Sequence, residues 1–228
     1  MIEDQVIESQ KQSLRPTVYD AIKNRILTNR LRPGAKLTHQ QLAEQLNVSR
    51  TPVREALERL FQEGFVTHIP YRGFTVAEIT RQEAFELYQM REALETYSVR
   101  FAITGPHSAL DIGVLENLND RYLELVEQEK LRKRMLVDRD FHLHIARSTG
   151  NEFMVRTLES VFERIILKMR TDGFWTTRGK LAHQEHCRLI DALREGYVEA
   201  AVELMSRHIR EACDCVLEQI EQAEADVA

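Results

Sequence analysis

Residues 33–66, PGAKLTHQQLAEQLNVSRTPVREALERLFQEGFV, decide how the first third of this chain folds. Thr38 stands three residues before Gln41 and ahead of Leu42 and Leu46, the pattern of a capping box that opens a short amphipathic helix. Asn47-Val48-Ser49 then turns the chain, and Ser49 is placed to cap a further helix whose Pro52 falls in the first turn, where its missing N–H costs little. On that helix Val53, Leu57 and Leu60 share one face, while Arg50 and Arg54 stand one turn apart on another. Two short helices joined by a tight turn make a helix-turn-helix. Paired guanidiniums in the first half of its second helix suit base edges and phosphates.

Working outward supports this reading. Upstream, TVYDAIKNRILTNRL places Val18, Ile22, Ile26 and Leu27 at helical spacing and stops at Arg32-Pro33-Gly34. Downstream, the short apolar runs 65–69 and 74–76 bracket Pro70-Tyr71-Arg72-Gly73, which predicts two strands and a tight tip. An Arg beside a Gly at such a tip can approach a minor groove or a phosphate closely. Residues 15–76 carry ten Lys/Arg against five Asp/Glu, although the whole chain has a net charge of −5. A phosphate-binding surface is therefore expected in this region and not elsewhere. A small helical domain with solvated arginines is the plainer alternative, but element order, local basic charge and paired arginines together favour DNA binding.

Over about sixty residues this stretch resembles the winged-helix signature of the GntR family of bacterial transcription regulators, most specifically in SRTPVREAL. The resemblance implies double-stranded DNA as partner and DNA contacts from Arg50, Thr51 and Arg54 on the recognition helix and from Arg72 and Gly73 in the wing. Where some members carry Arg at the start of the second helix, this chain has Gln40, which can still bond a phosphate or an adenine edge.

From Thr80 onward the pattern is helical almost throughout. Helices are predicted over 81–103, 108–129, 131–148, 152–171, 178–194 and 198–222, with breaks at Gly105-Pro106, Gly150-Asn151, Asp172-Gly173 and Gly196. The expected fold is mainly α: a winged helix-turn-helix over residues 10–78, followed over 79–228 by an antiparallel all-α bundle of about six helices. Apolar residues at 43% and charged ones at 29%, with nine Gly and five Pro, fit a folded helical protein. No apolar run reaches the roughly 20 residues needed to span a bilayer, and MIEDQVIESQ lacks the features of a signal peptide, so no membrane partner and a cytoplasmic location are expected. Cys187, Cys213 and Cys215 form no CxxC pair and are read as reduced, mostly buried thiols.

In the bundle, VDRDFHLHIARSTGN (137–151) puts two acid/imidazole pairs on one helix, Asp138 with His142 and Asp140 with His144. Val137, Phe141 and Ile145 mark the core direction, and the pairs flank that stripe on opposite sides. Arg147 beside Asp140 and His144 gives a slight preference for Asp138 and His142, and periodicity takes the choice no further. His186 shares an apolar stripe with Leu189, Ile190 and Leu193, and His208 shares one with Leu204, Ala212 and Cys215. A lone inward histidine is ordinarily a core residue bonded to a carbonyl; two of them, with an acid/His pair elsewhere, suggest a shared site.

The C-terminal region resembles the FCD ligand-binding domain of the FadR-type branch. That resemblance selects Asp138 and His142, with His186 and His208, as ligands of a divalent transition metal, most simply Zn²⁺, with Ni²⁺ or Mn²⁺ as alternatives. It also implies that Arg91, otherwise a simple ion-pair partner of Glu95, lines a pocket for a small organic acid. The expectation is a homodimeric, ligand-responsive regulator, most simply a repressor, bound to a near-palindromic operator. Two other readings are a metal-dependent hydrolase and a regulator whose metal only staples helices. His183-Gln-Glu-His186 is one residue short of a zinc-protease spacing, and no HExxH, P-loop, nucleophile elbow or dinucleotide fingerprint is present, so no enzyme is expected.

Overall fold

A computed structural model describes residues 17–69, 73–105, 110–169 and 176–225. The chain divides into two compact units, Met1–Glu78 and Ile79–Ala228.

In the first unit, α1 (Val18–Leu27) is followed by β1 (Lys36–Leu37), α2 (His39–Leu46), α3 (Arg50–Gln62), β2 (Val66–Ile69) and β3 (Gly73–Val76). Ile22 and Ile26 of α1 are buried, as are Leu42, Val53, Leu57 and Leu60 of the next two helices, which explains the three- and four-residue apolar spacing. A complete capping box forms at Thr17 and Asp20. At α2 the Thr38 hydroxyl accepts from the Gln41 N–H at 3.3 Å and also donates to Gln41 Oε1 at 2.9 Å, so the glutamine side chain turns to the hydroxyl. Asn47 ends α2 with φ 53°, the left-handed geometry that asparagine tolerates. Ser49 does precede α3, but its side chain makes no capping bond, contrary to the expectation from sequence.

The sheet has one more strand than expected. β1 pairs antiparallel with β3 (Lys36 opposite Thr75, Leu37 opposite Phe74), and β3 pairs with β2, giving the order β1-β3-β2. A strand of two residues has no alternation to detect, so sequence periodicity could not show it. The tip residues 70–72, Arg72 among them, lie outside the described residues.

The second unit contains α4 (Arg81–Thr104), α5 (Ile112–Glu127), α6 (Leu131–Arg147), α7 (Glu152–Lys168), α8 (Thr176–Arg194) and α9 (Val198–Ala225). Helix α4 packs on α9, α6 and α7, while α5 packs on α6 and α8. Local chemistry sets the ends. The Thr80 hydroxyl caps α4 through the Glu83 N–H at 3.1 Å. The Asp111 carboxylate accepts from Gly113 and Val114, so α5 begins at Ile112 and not at 108. Helix α9 runs three residues past its expected end. Of the cysteines, all free, Cys213 alone is fully buried; Cys187 and Cys215 are half-buried.

The bundle core of Val99, Leu115, Phe141, Ile145, Leu158, Ile166, Leu189 and Met205 encloses a set of polar side chains. Arg91, Glu95, Asn119, His142, His186 and His208 are each at most 4% exposed. A group of buried polar side chains of this kind is costly unless its members satisfy one another or a ligand.

Candidate functional site

Helix α6 supplies Asp138 and His142, one turn apart. With His186 from α8 and His208 from α9 they place one ligand atom each within 4.8 Å of one another. Helical spacing accounts for this: His186 and His208 sit on the apolar stripes of their helices and His142 beside that of α6, so packing the helices carries the rings to a common point.

Two of the imidazoles are hydrogen-bonded through Nδ1, and the third has a carboxylate beside it. The Nδ1 of His208 lies 2.6 Å from Glu185 Oε2, that of His186 lies 3.1 Å from Asn119 Oδ1, and that of His142 makes a close contact with Glu95 Oε2. Burial raises the pKa of Glu95, but Arg91 and His142 outweigh it and hold the carboxyl at about 2. Burial likewise works against Glu185, which hydrogen bonds from His208 and Arg178 nevertheless keep at about 2. Both groups are therefore carboxylates at neutral pH and can only accept. The Asn119 amide donates to the His183 carbonyl at 3.3 Å and faces Cys187 Sγ at 3.2 Å, which leaves its oxygen for His186. With acceptors at their Nδ1, His186 and His208 carry the proton there and leave the Nε2 lone pair for the centre, and the ionised Glu95 beside Nδ1 favours the same tautomer for His142.

Among the described residues, Nε2 of His142 and Nε2 of His186 are buried without hydrogen-bond partners, as is His142 Nδ1 apart from its close contact with Glu95; the two Nε2 atoms lie 3.8 Å and 3.6 Å from the two oxygens of Asp138. Burial, then the neighbouring His208 and His142, pushes His186 well below its ordinary pKa, and burial also lowers that of His208. Three imidazole nitrogens and one carboxylate oxygen, with polar partners behind them, are the donor set that a Zn²⁺, Ni²⁺ or Mn²⁺ ion fits.

Asp140 and His144 take no part. Asp140 is held by Arg139 at 2.7 Å, and His144 Nε2 lies 3.0 Å from the Asp111 carbonyl oxygen. Asp138 and His208 border a cavity that Arg91, Arg134, Arg178, Tyr88 and Tyr122 also line. Arg91 Nε donates to Glu95 at 2.8 Å, and its guanidinium also lines the cavity, over Phe162 at 4.3 Å from the ring centre.

Sequence reasoning missed Glu95, Asn119, Glu185 and Arg178. Glu95 was visible only as the i+4 partner of Arg91, and Glu185 only as the residue before His186. Asn119 carried no signal, since nothing in the sequence connects it with His186.

In the first unit, Gln40, Arg50, Thr51 and Arg54 are exposed and border one shallow depression with Thr38 and His39. Arg54 lies 4.0 Å from Glu58, and both side chains are about 60% exposed, so this pair holds the guanidinium only weakly. Gln40 Nε2 donates to Glu44 at 3.0 Å. Gly73 opens β3 at φ 85°, a conformation that favours glycine.

Residues 14–76 match the family described as bacterial regulatory proteins, gntR family, and residues 86–211 match the FCD domain. The Nta operon transcriptional regulator of Aminobacter aminovorans is 32% identical over 199 residues, covering 86% of this chain and 91% of that protein. The HTH-type transcriptional regulator McbR of Escherichia coli is 30% identical over 153 residues, covering 67% and 69%. Among solved structures, E. coli McbR/YncC superposes with a TM-score of 0.74 at 24% identity, covering 89% of this chain and 96% of that one. A GntR transcriptional regulator from Rhodococcus sp. RHA1 gives 0.71 at 25%, covering 88% and 96%.

Proposed function

The chain belongs to the GntR family of bacterial regulatory proteins, with an FCD domain after its winged helix, and from that premise we propose how this transcriptional regulator is controlled. The family and the relatives are regulators of transcription, not enzymes. No helix among the described residues is long and apolar enough to cross a membrane.

In this reading a homodimer in the cytoplasm binds a near-palindromic operator, setting the N-terminal half of α3 in the major groove of each half-site. Arg50, Thr51 and Arg54 contact bases and phosphates, Gln40 adds a phosphate or adenine contact, and Arg72 with Gly73 contacts DNA from the wing. Asp138, His142, His186 and His208 hold a divalent transition metal, most simply Zn²⁺. Bound there, the metal supplies Lewis acidity toward an oxygen anion, so the cavity takes a small organic acid, with the guanidinium of Arg91 on its carboxylate. Relatives named as repressors, such as GlaR of Escherichia coli, make repression the simplest direction of control.

The observation that carries this reading is the convergence of four ligand atoms within 4.8 Å, with Nε2 of His142 and Nε2 of His186 buried and without hydrogen-bond partners among the described residues. A protein interior does not ordinarily gather three imidazoles without a partner for them. Binding of acid and operator must then be reciprocally linked: whatever factor the acid applies to operator affinity, the operator applies to acid affinity. The test is selection of an operator from random duplexes with the purified protein, then titration of that duplex with a panel of organic acids, with and without a chelator. A shift in operator affinity by some acid, lost on chelation, is the expected result. Operator affinity indifferent to every acid, with metal retained, would reduce the metal to a staple.

A further inference from the structure

Helix α6 presents more to the cavity than Asp138. Leu131, Arg134 and Met135 lie on the same helical face one and two turns earlier, and all three line the cavity. The side chain of Arg134 is half-buried and has no carboxylate partner among the described residues; its guanidinium lies 5.6 Å from the ring centre of Tyr122. By contrast, the other two cavity arginines are each paired with an acid, Arg91 with Glu95 at 2.8 Å and Arg178 with Glu185 at 2.6 Å. Even these two leave donors over, because Arg91 Nη2 and Arg178 Nε are buried without hydrogen-bond partners.

The position of Arg134 is built. Gly179, in the first turns of α8, leaves the space that this guanidinium fills: a Cβ there would stand 2.3 Å from Arg134 Nη1 and 2.9 Å from Val126 Cγ2. The cavity wall that the half-buried Arg134 shares with Met135, Ile166 and Met169 is partly apolar, so its guanidinium is placed to gain from an anion brought in by a ligand.

We infer that Arg134, seated against Gly179 and Tyr122, is a second anion anchor, and that the effector is a small acid with two anionic groups. One carboxylate goes to the Asp138/His142/His186/His208 end, and the other reaches Arg134 one helical turn away. The apolar wall between them takes a short hydrocarbon chain. This rests on the reading of the bundle as an acid-sensing pocket and specifies the class of acid.

The test uses the full-length protein loaded with Zn²⁺ and calorimetric titration with two matched pairs, butyrate against succinate and valerate against glutarate. At least one dicarboxylate is expected to bind about tenfold more tightly than its monocarboxylate partner, the contribution of one charge-assisted contact. Arg134→Gln and Gly179→Ala should each remove that preference while leaving monocarboxylate affinity within about twofold, and Arg134→Lys should keep part of it. Equal binding of both members of each pair by the unaltered protein would overturn the second anchor while leaving the acid-sensing reading in place. The second anchor is equally overturned if Arg134→Gln weakens mono- and dicarboxylates alike while Arg134→Lys restores neither. Binding of Zn²⁺ with no uptake of either kind of acid would overturn both the anchor and the acid-sensing reading.

Discussion

The amide oxygen of Asn119 sits 3.1 Å from Nδ1 of His186, the histidine at the centre of the cluster, and the two residues come from different helices, 67 positions apart. The contact fixes the His186 tautomer and leaves its buried Nε2 facing Asp138. Asn119→Leu fills the same space without an acceptor. It is expected to weaken Zn²⁺ binding about 10–100-fold, the usual cost of losing such an orienting partner. Competition with a colorimetric chelator measures this, and unchanged affinity would show that ring packing alone orients His186.

The four residues proposed as metal ligands should behave as a unit. His186→Ala or His142→Ala is expected to bring metal content, measured by elemental analysis of the purified protein, to near zero. Operator binding without effector should survive, since these residues lie in the second compact unit. His144→Ala should leave metal content unchanged, because its Nε2 lies at the Asp111 carbonyl, outside the cluster. A full metal complement in His186→Ala would refute the ligand set.

The contrast between His142 and His144 shows how far the sequence reaches. Periodicity of three and four, with the glycine breaks, identified each helix of the bundle among the described residues, because those signals are local, whereas the caps that Thr80 and Asn151 form were not read. The same periodicity placed Asp138/His142 and Asp140/His144 symmetrically about the core stripe. What separates them is tertiary: Arg139 takes Asp140, whereas Asp138 faces His142 on its own helix and His186 on another. Family resemblance, not periodicity, selected Asp138 and His142 at the sequence level. Glu95, Asn119 and Glu185 were illegible for the same reason, since each acts through a ring on another helix.

On the first unit, Arg50 and Arg54 are exposed, and the ion pair that Arg54 makes with Glu58 is a loose one at 4.0 Å. Neither arginine therefore contributes much to stability. Arg50→Ala combined with Arg54→Ala should leave the thermal midpoint within about 2 °C, as expected when surface changes stay within ~0.5 kcal/mol. Each lost base or phosphate contact is expected to cost about 1–3 kcal/mol of operator binding, and specificity should fall with it. Fluorescence anisotropy against operator and scrambled duplexes would separate the two losses. Sequence-specific binding retained by the double variant would remove α3 as the reading element.

Glu95 joins the cavity-lining Arg91 to the stability of the bundle. It is 2% exposed, pairs with Arg91 at 2.8 Å and contacts His142, so one carboxylate neutralises a buried guanidinium and orients a ligand ring. Removing it leaves Arg91 charged in an interior where it cannot lose its proton. Glu95→Ala is therefore expected to destabilise the apo-protein by roughly 3–5 kcal/mol, the range for breaking a buried pair from one side. Removing both charges with Glu95→Leu and Arg91→Met together should recover much of that loss, because no unpaired charge is left behind. Chemical denaturation of the unaltered protein, the two single variants Glu95→Leu and Arg91→Met and the double variant, compared as a double-mutant cycle, measures the coupling. The double variant should still lose acid binding, since Arg91 lines the cavity whatever its part in stability. If Glu95→Ala alone were as stable as the unaltered protein, solvent would have to reach Arg91, against its 3% exposure, and the assignment of Arg91 and Glu95 as a buried pair would be wrong.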